Sequence, residues 1–160
     1  MTEILGMDEI DQQIVQLIQG DPSLTHTEIA THVNRSQPTI GMRIRKLEDA
    51  GVLHFQAGIN IKETELYLSR CDISTSNPEK IIHMAKNCPY MINAFRLSGE
   101  WNISLLLASL KLEDLDKIVN THFRHDKEVQ KMKMEIITDI SENYVIPLNI
   151  LFESCNCLTE

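Results

Sequence analysis

Four cysteines in 160 residues are too few to build a disulfide scaffold, and a reducing compartment would keep most of them as thiols. Basic residues are also outnumbered: 15 Lys and Arg face 23 Asp and Glu, a formal net charge of −8. That balance excludes a protein that coats nucleic acid indiscriminately, because a sequence-independent hold on phosphates needs excess positive charge, so any nucleic-acid contact has to be local. Long apolar runs are missing as well. The longest uncharged apolar stretch, residues 103–110 with serines inside it, falls far short of the roughly 20 residues of a membrane-spanning helix. The N-terminus carries Glu3 and Asp8 and lacks the basic, apolar and small-residue regions of a secretory signal, so the expected location is the cytoplasm.

What is present is ordinary globular material: 42% hydrophobic and 24% charged residues, enough apolar surface to bury a core, with no internal repeat or low-complexity tract. The size allows one ordinary domain or two small ones.

The first third reads as three helices. Ile10, Ile14, Leu17 and Ile18 recur at spacings of three and four, as a helix burying one face requires, and Gly20, Asp21 and Pro22 end it. A short second helix fits 25–32, where Thr25 and Glu28 form the pattern of a capping box and Ile29, Ala30 and Val33 face inward. A third fits 37–49, with Ser36 as N-cap, Pro38 in the first turn and Gly51 beyond the end. Residues 52–61 then alternate apolar and polar, suggesting an extended segment or small wing, and 62–65 read as a hinge.

Beyond the hinge the pattern is strand (66–73), helix (77–87), strand (91–97), turn (98–100), strand (101–110), helix (112–123) and strand (129–139). This βαββαβ order predicts an α+β, ferredoxin-like domain: an antiparallel sheet with both helices on one face and the other face free for solvent or a partner. The expected organisation is a helical domain with its linker over 1–62, the ferredoxin-like domain over 63–143, and an extra strand plus tail over 144–160.

The chemistry concentrates on the third helix. At 100° per residue, Ile40, Ile44 and Leu47 share one side, while Pro38, Met42, Arg45 and Lys46 point away and Thr39 and Arg43 flank them. Residues 29–47 hold Arg35, Arg43, Arg45 and Lys46 and no Asp or Glu, although the whole chain is acidic. Such a helix suits the major groove, where Arg pairs bidentately with guanine and Thr meets a thymine methyl. Small Ala30 permits a close helix crossing, and Asn34 tolerates a left-handed turn, which completes a helix-turn-helix signature.

Asp8, Ile10, Asp11, Ile14 and Leu17, together with the run from Arg43 to Leu53, make residues 8–62 resemble the DNA-binding half of the Lrp/AsnC, or feast/famine, regulators. Residues 66–139 are similar to that family's second half, the domain for regulation of amino-acid metabolism (RAM), through Leu97-Ser98-Gly99-Glu100-Trp101-Asn102, where Asn102 stands at the family's usual Asp. The resemblance implies a winged helix-turn-helix that binds a pseudo-palindromic operator as a homodimer, extending to a tetramer or octamer. It implies DNA contact by Ser36, Gln37, Thr39, Met42, Arg43, Arg45 and Lys46, and an amino-acid or related effector near Ser98, Gly99, Glu100, Trp101 and Asn102. No catalytic residue, metal or cofactor is expected.

Two other readings stay open at this level. Siroheme decarboxylases share the two-domain architecture, although Leu53-His54-Phe55-Gln56 follows Val52 where those enzymes tend to carry a basic pair. Cys155-x-Cys157 would suit a thiol- or metal-responsive regulator, but two ligands fall short of the four that structural zinc wants. His122 and His125, three apart near a helix end, are a weaker candidate pair.

Overall fold

Asp8 starts the first helix by accepting the Asp11 amide, and α1 runs Glu9–Gly20 with Ile14 and Ile18 buried. The computed structural model describes residues 5–149 together with 152 and 158. Thr25 and Glu28 close the expected reciprocal cap at the head of α2, His26–Val33. Asn34 then takes the left-handed conformation, φ 52° and ψ 54°, and turns the chain into α3, Gln37–Asp49. Gly51, at φ 68°, adopts the conformation that follows a helix end at least cost in a residue without Cβ. Ile14, Ile18, Ile29, Ala30, Val33, Ile40 and Ile44 form one buried cluster that joins the three helices.

The chain divides into two compact units after Gln56. Residues 57–62, read from the sequence as part of a wing and hinge, pair inside the second unit. There β1, Ile59–Asn60, is antiparallel to β6, Val145–Ile146, with Ile59 opposite Ile146. The ladder passes close to Gly58, where a Cβ would lie 2.8 Å from the Ile146 carbonyl, so only glycine fits. The extra strand expected within 144–152 is thus two residues long, and 52–58 form no strand.

The rest of the second unit follows the expected order: β2 (Tyr67–Thr75), α4 (Pro78–Asn87), β3 (Met91–Arg96), β4 (Ile103–Ser109), α5 (Leu112–Val119) and β5 (Val129–Ile137). A π-helical turn, Asn120–Arg124, extends α5. The sheet order β3-β4-β2-β5 is antiparallel throughout, the ferredoxin-like arrangement. Alternation places Cys71, Ile73, Ile103, Leu105 and Leu107 against Ile81, Leu115, Ile118 and Phe123, so both helices cover one face. On the other face Leu68 and Ala108 lie beneath Ile61 and Ile146, while Arg70, Asp72, Lys133 and Glu135 form a grid of ion pairs.

Candidate nucleic-acid interface

The side of α3 that carries Ile40, Ile44 and Leu47 is buried, which forces the remaining side outward. Met42 is 69% exposed there. Ser36, Gln37, Arg45 and Lys46 are exposed beside it and Thr39 is half-buried. Six of the seven residues assigned to DNA therefore line one accessible strip at the start and outer side of α3.

Two details differ from the expectation. Ser36 occupies the N-cap position but makes no cap bond to a backbone amide; its hydroxyl lies 2.7 Å from that of Thr39. Pro38, at the second helical position, has no N–H to offer, and the Thr39 hydroxyl competes for the bond. Arg43, the seventh residue, turns back to α1: its Nη1 donates to Asp8 Oδ2 and Asp11 Oδ1, each at 2.7 Å. The two carboxylates raise the pKa of the guanidinium further. The Asp11 amide, and after it Arg43, hold the Asp8 carboxyl below the usual carboxylate range. The sequence offers Asp8 and Asp11 only as residues of the family's opening helix; nothing local announces a partner 32 or 35 positions away.

The turn between β3 and β4 is closed by the Leu97 amide donating to the Asn102 carbonyl at 2.9 Å. Ser98, Gly99 and Glu100 are exposed, and Trp101 and Asn102 are half-buried. Glu100 pairs with Lys131 at 2.5 Å, which lowers its pKa. Asn102 points inward to the backbone of Thr75. Gly99 has no positive φ, and a Cβ there would meet nothing within 4 Å, so the fold of a single chain does not demand glycine at this position.

Cys155 and Cys157 lie outside the described residues. Cys71 and Cys88 are buried in the second unit, and burial pushes the Cys71 thiol up to about 12. Among the described residues no three His, Cys, Asp or Glu side chains gather as a metal site requires, His122 and His125 included. Among those residues, too, no helix is long and apolar enough to cross a membrane.

Residues 7–54 match the family model described as winged helix-turn-helix DNA-binding, so the first unit is a DNA-binding domain of that class. The chain is 43% identical over 120 residues to the leucine-responsive regulatory protein of Rhizobium meliloti, covering 71% of this chain and 77% of that protein. It belongs to the Lrp/AsnC family of DNA-binding transcriptional regulators. Solved structures share the two-domain fold. AsnC of E. coli aligns with a TM-score of 0.75 at 16% identity over 88% of this chain and 97% of that one. A Neisseria meningitidis transcriptional regulator in complex with L-methionine aligns at 0.72 and 21% identity over 91% and 99%. The Rhizobium relative is named a regulatory protein and the Neisseria one a transcriptional regulator, in agreement with a non-enzymatic reading.

Proposed function

We propose that this regulator reads a two-fold symmetric operator by placing α3 in the major groove, and that a small amino-acid effector tunes the binding by changing how dimers assemble. The observation that carries the reading is the composition of the outer side of α3. Gln37, Met42, Arg45 and Lys46 are exposed opposite buried Ile40, Ile44 and Leu47, within a segment free of acidic residues on an otherwise anionic chain. Arg supplies a bidentate donor pair for guanine, Gln a donor and an acceptor for adenine, and Thr39 and Met42 supply apolar contacts. Ser36 sits at the amino end of the helix, where phosphate contacts set register.

The first unit does this work, and the second unit carries dimerisation and the effector. Holding two copies of α3 in a homodimer requires an interface, and the partly uncovered sheet face of the second unit, with its mixed-sign ion-pair grid, suits a second copy. The exposed turn of Ser98, Gly99 and Glu100 is the effector region, with Trp101 beside it; the methionine complex of the Neisseria relative supports an amino acid as the ligand class. An effector bound between dimers would shift the dimer, tetramer and octamer populations only as far as it prefers one assembly over another.

The test is selection of bound fragments from the host genome by the purified full chain, repeated with and without each amino acid, with sedimentation of the same samples. Enrichment of an inverted repeat with half-sites about one helical turn apart is expected, together with a change of sedimentation and occupancy for at least one amino acid. Fragments no different from random genomic DNA would overturn the operator reading. Unchanged assembly and occupancy with every amino acid would overturn the effector reading.

A further inference from the structure

The recognition helix is fastened to α1 by one cation. Asp8 and Asp11 cap each other: the Asp11 amide donates to Asp8 Oδ1 at 2.8 Å and the Asp8 amide to Asp11 Oδ2 at 3.4 Å. This leaves one oxygen on each carboxylate, Asp8 Oδ2 and Asp11 Oδ1, and both accept from the same Arg43 nitrogen. The start of α1 is thereby shaped into a pincer around the guanidinium. Asp11 has a side chain only 4% exposed and Arg43 one 28% exposed. A buried carboxylate without a counter-charge is costly, so Arg43 cannot swing to DNA without stranding Asp11.

The apolar cluster of Ile14, Ile18, Ile40 and Ile44 sets how closely α1 and α3 pack, but aliphatic contacts tolerate small rotations of one helix on another. A paired charge with two short hydrogen bonds is directional and removes that freedom. Arg43 lies between Met42 and the Arg45–Lys46 pair, so the angle it fixes is the angle at which those side chains leave the protein.

We infer that Arg43 is a positioning residue: gripped by Asp8 and Asp11, it sets the rotation of α3 so that Arg45 and Lys46 meet the duplex, and it makes no DNA contact itself. The inference rests on the reading of α3 as the groove helix and reverses the direct role that the sequence suggests for Arg43.

Opposite signs separate the two roles. In the Asp8→Asn/Asp11→Asn variant the pincer loses its charge. If Arg43 positions α3, affinity for the duplex most enriched in the genomic selection falls about tenfold as both bonds lose their charge assistance, even though the protein has become less anionic. If Arg43 contacts DNA, freeing it leaves binding unchanged or tighter, and the inference is overturned. Arg43→Met adds a second readout: weaker binding with an unaltered salt dependence is expected, whereas a slope of log K against log salt reduced by about one marks a lost phosphate contact and counts against positioning. Arg43→Met with undiminished affinity also overturns it. Circular dichroism reports whether the helices persist; should the Asn pair unfold, Asp8→Asn alone keeps the Arg43–Asp11 bond and is expected to shift binding in the same direction by less. Arg45→Ala and Lys46→Ala run beside these variants, and normal binding by both would locate the failure in the groove reading instead.

Discussion

Asn102 grips both backbone groups of Thr75. Its side-chain oxygen accepts the Thr75 amide at 3.0 Å and its Nδ2 donates to the Thr75 carbonyl at 2.7 Å, stitching the residue before β4 to the last residue of β2 just beyond the Ile73–Ile103 pair. Thr75 in turn donates its hydroxyl to the Glu128 carbonyl at 2.9 Å, so the clasp ties together the chain around three strand ends. An aspartate here keeps the acceptor but loses the donor and turns a negative oxygen toward a carbonyl. Asn102→Asp is therefore expected to destabilise the second unit by about 1–3 kcal/mol. Urea unfolding followed through the fluorescence of adjacent Trp101, the only tryptophan, measures it; an unchanged midpoint would show that the clasp contributes nothing net.

The groove assignment predicts a contrast between two cations. Arg45 is exposed on the outer side of α3, and its replacement by Ala is expected to weaken operator binding by roughly 1–3 kcal/mol and to relax specificity at one base pair. Lys80 is a surface cation of the second unit, bridging Asp126 at 2.7 Å and Glu128 at 2.9 Å, and Lys80→Ala is expected to leave binding alone. Fluorescence anisotropy on a labelled operator compares them. Equal small losses would mean that both act through general charge and not through the groove.

At the turn between α2 and α3, Asn34 holds φ 52°, a region where a Cβ is disfavoured and Asn and Gly are the residues best tolerated. Asn34→Gly should be nearly neutral. Asn34→Val should lower the stability of the three-helix unit by about 1–2 kcal/mol or more, since a β-branched side chain meets the full left-handed penalty. Thermal unfolding by circular dichroism distinguishes them, and equal melting temperatures for the two variants would refute the backbone argument.

Features decided by neighbours in the chain were legible without coordinates. The Thr25–Glu28 cap, the left-handed turn at Asn34 and the stop at Gly51 all depend on residues a few positions apart. The burial of Ile40, Ile44 and Leu47 followed from helical periodicity, and with it the outward strip of Met42, Arg45 and Lys46. Arg43 could not be read in the same way, because its place on the edge of that strip suits a groove and a pincer equally. The ion pair it makes depends on two carboxylates more than thirty residues upstream. The same holds for Asn102, whose partner Thr75 sits on a strand 27 positions earlier, and for β1, whose two residues are defined only by pairing with Val145 and Ile146. Ser36 is a different case: the helix start was legible, but a proline and a second hydroxyl within three residues redirected its side chain.

Cys71 lies fully buried in the sheet of the second unit with Asp72 beside it in the chain; burial first, and the neighbouring carboxylate second, push its thiol from an ordinary value near 9 up to about 12. The folded state thus holds the thiol neutral, whereas an unfolded chain ionises it near 9. A raised pKa in the folded state gives stability that is complete below pH 9 and is lost as pH climbs from about 9 to about 12, because the unfolded thiolate is increasingly favoured across that interval. Cys71→Ala removes this titration while also opening a small cavity, so the variant should be less stable than the parent at pH 7 and the gap should narrow as pH rises through the alkaline range. Denaturant titrations at several pH values measure the gap. The same neutral, buried thiol should resist iodoacetamide at pH 8 in the folded protein and react once the protein is unfolded, which site-resolved mass spectrometry can follow. Rapid labelling of Cys71 under native conditions, or a stability gap that does not change between pH 7 and the alkaline limit, would show that the sheet opens far more readily than its packing implies.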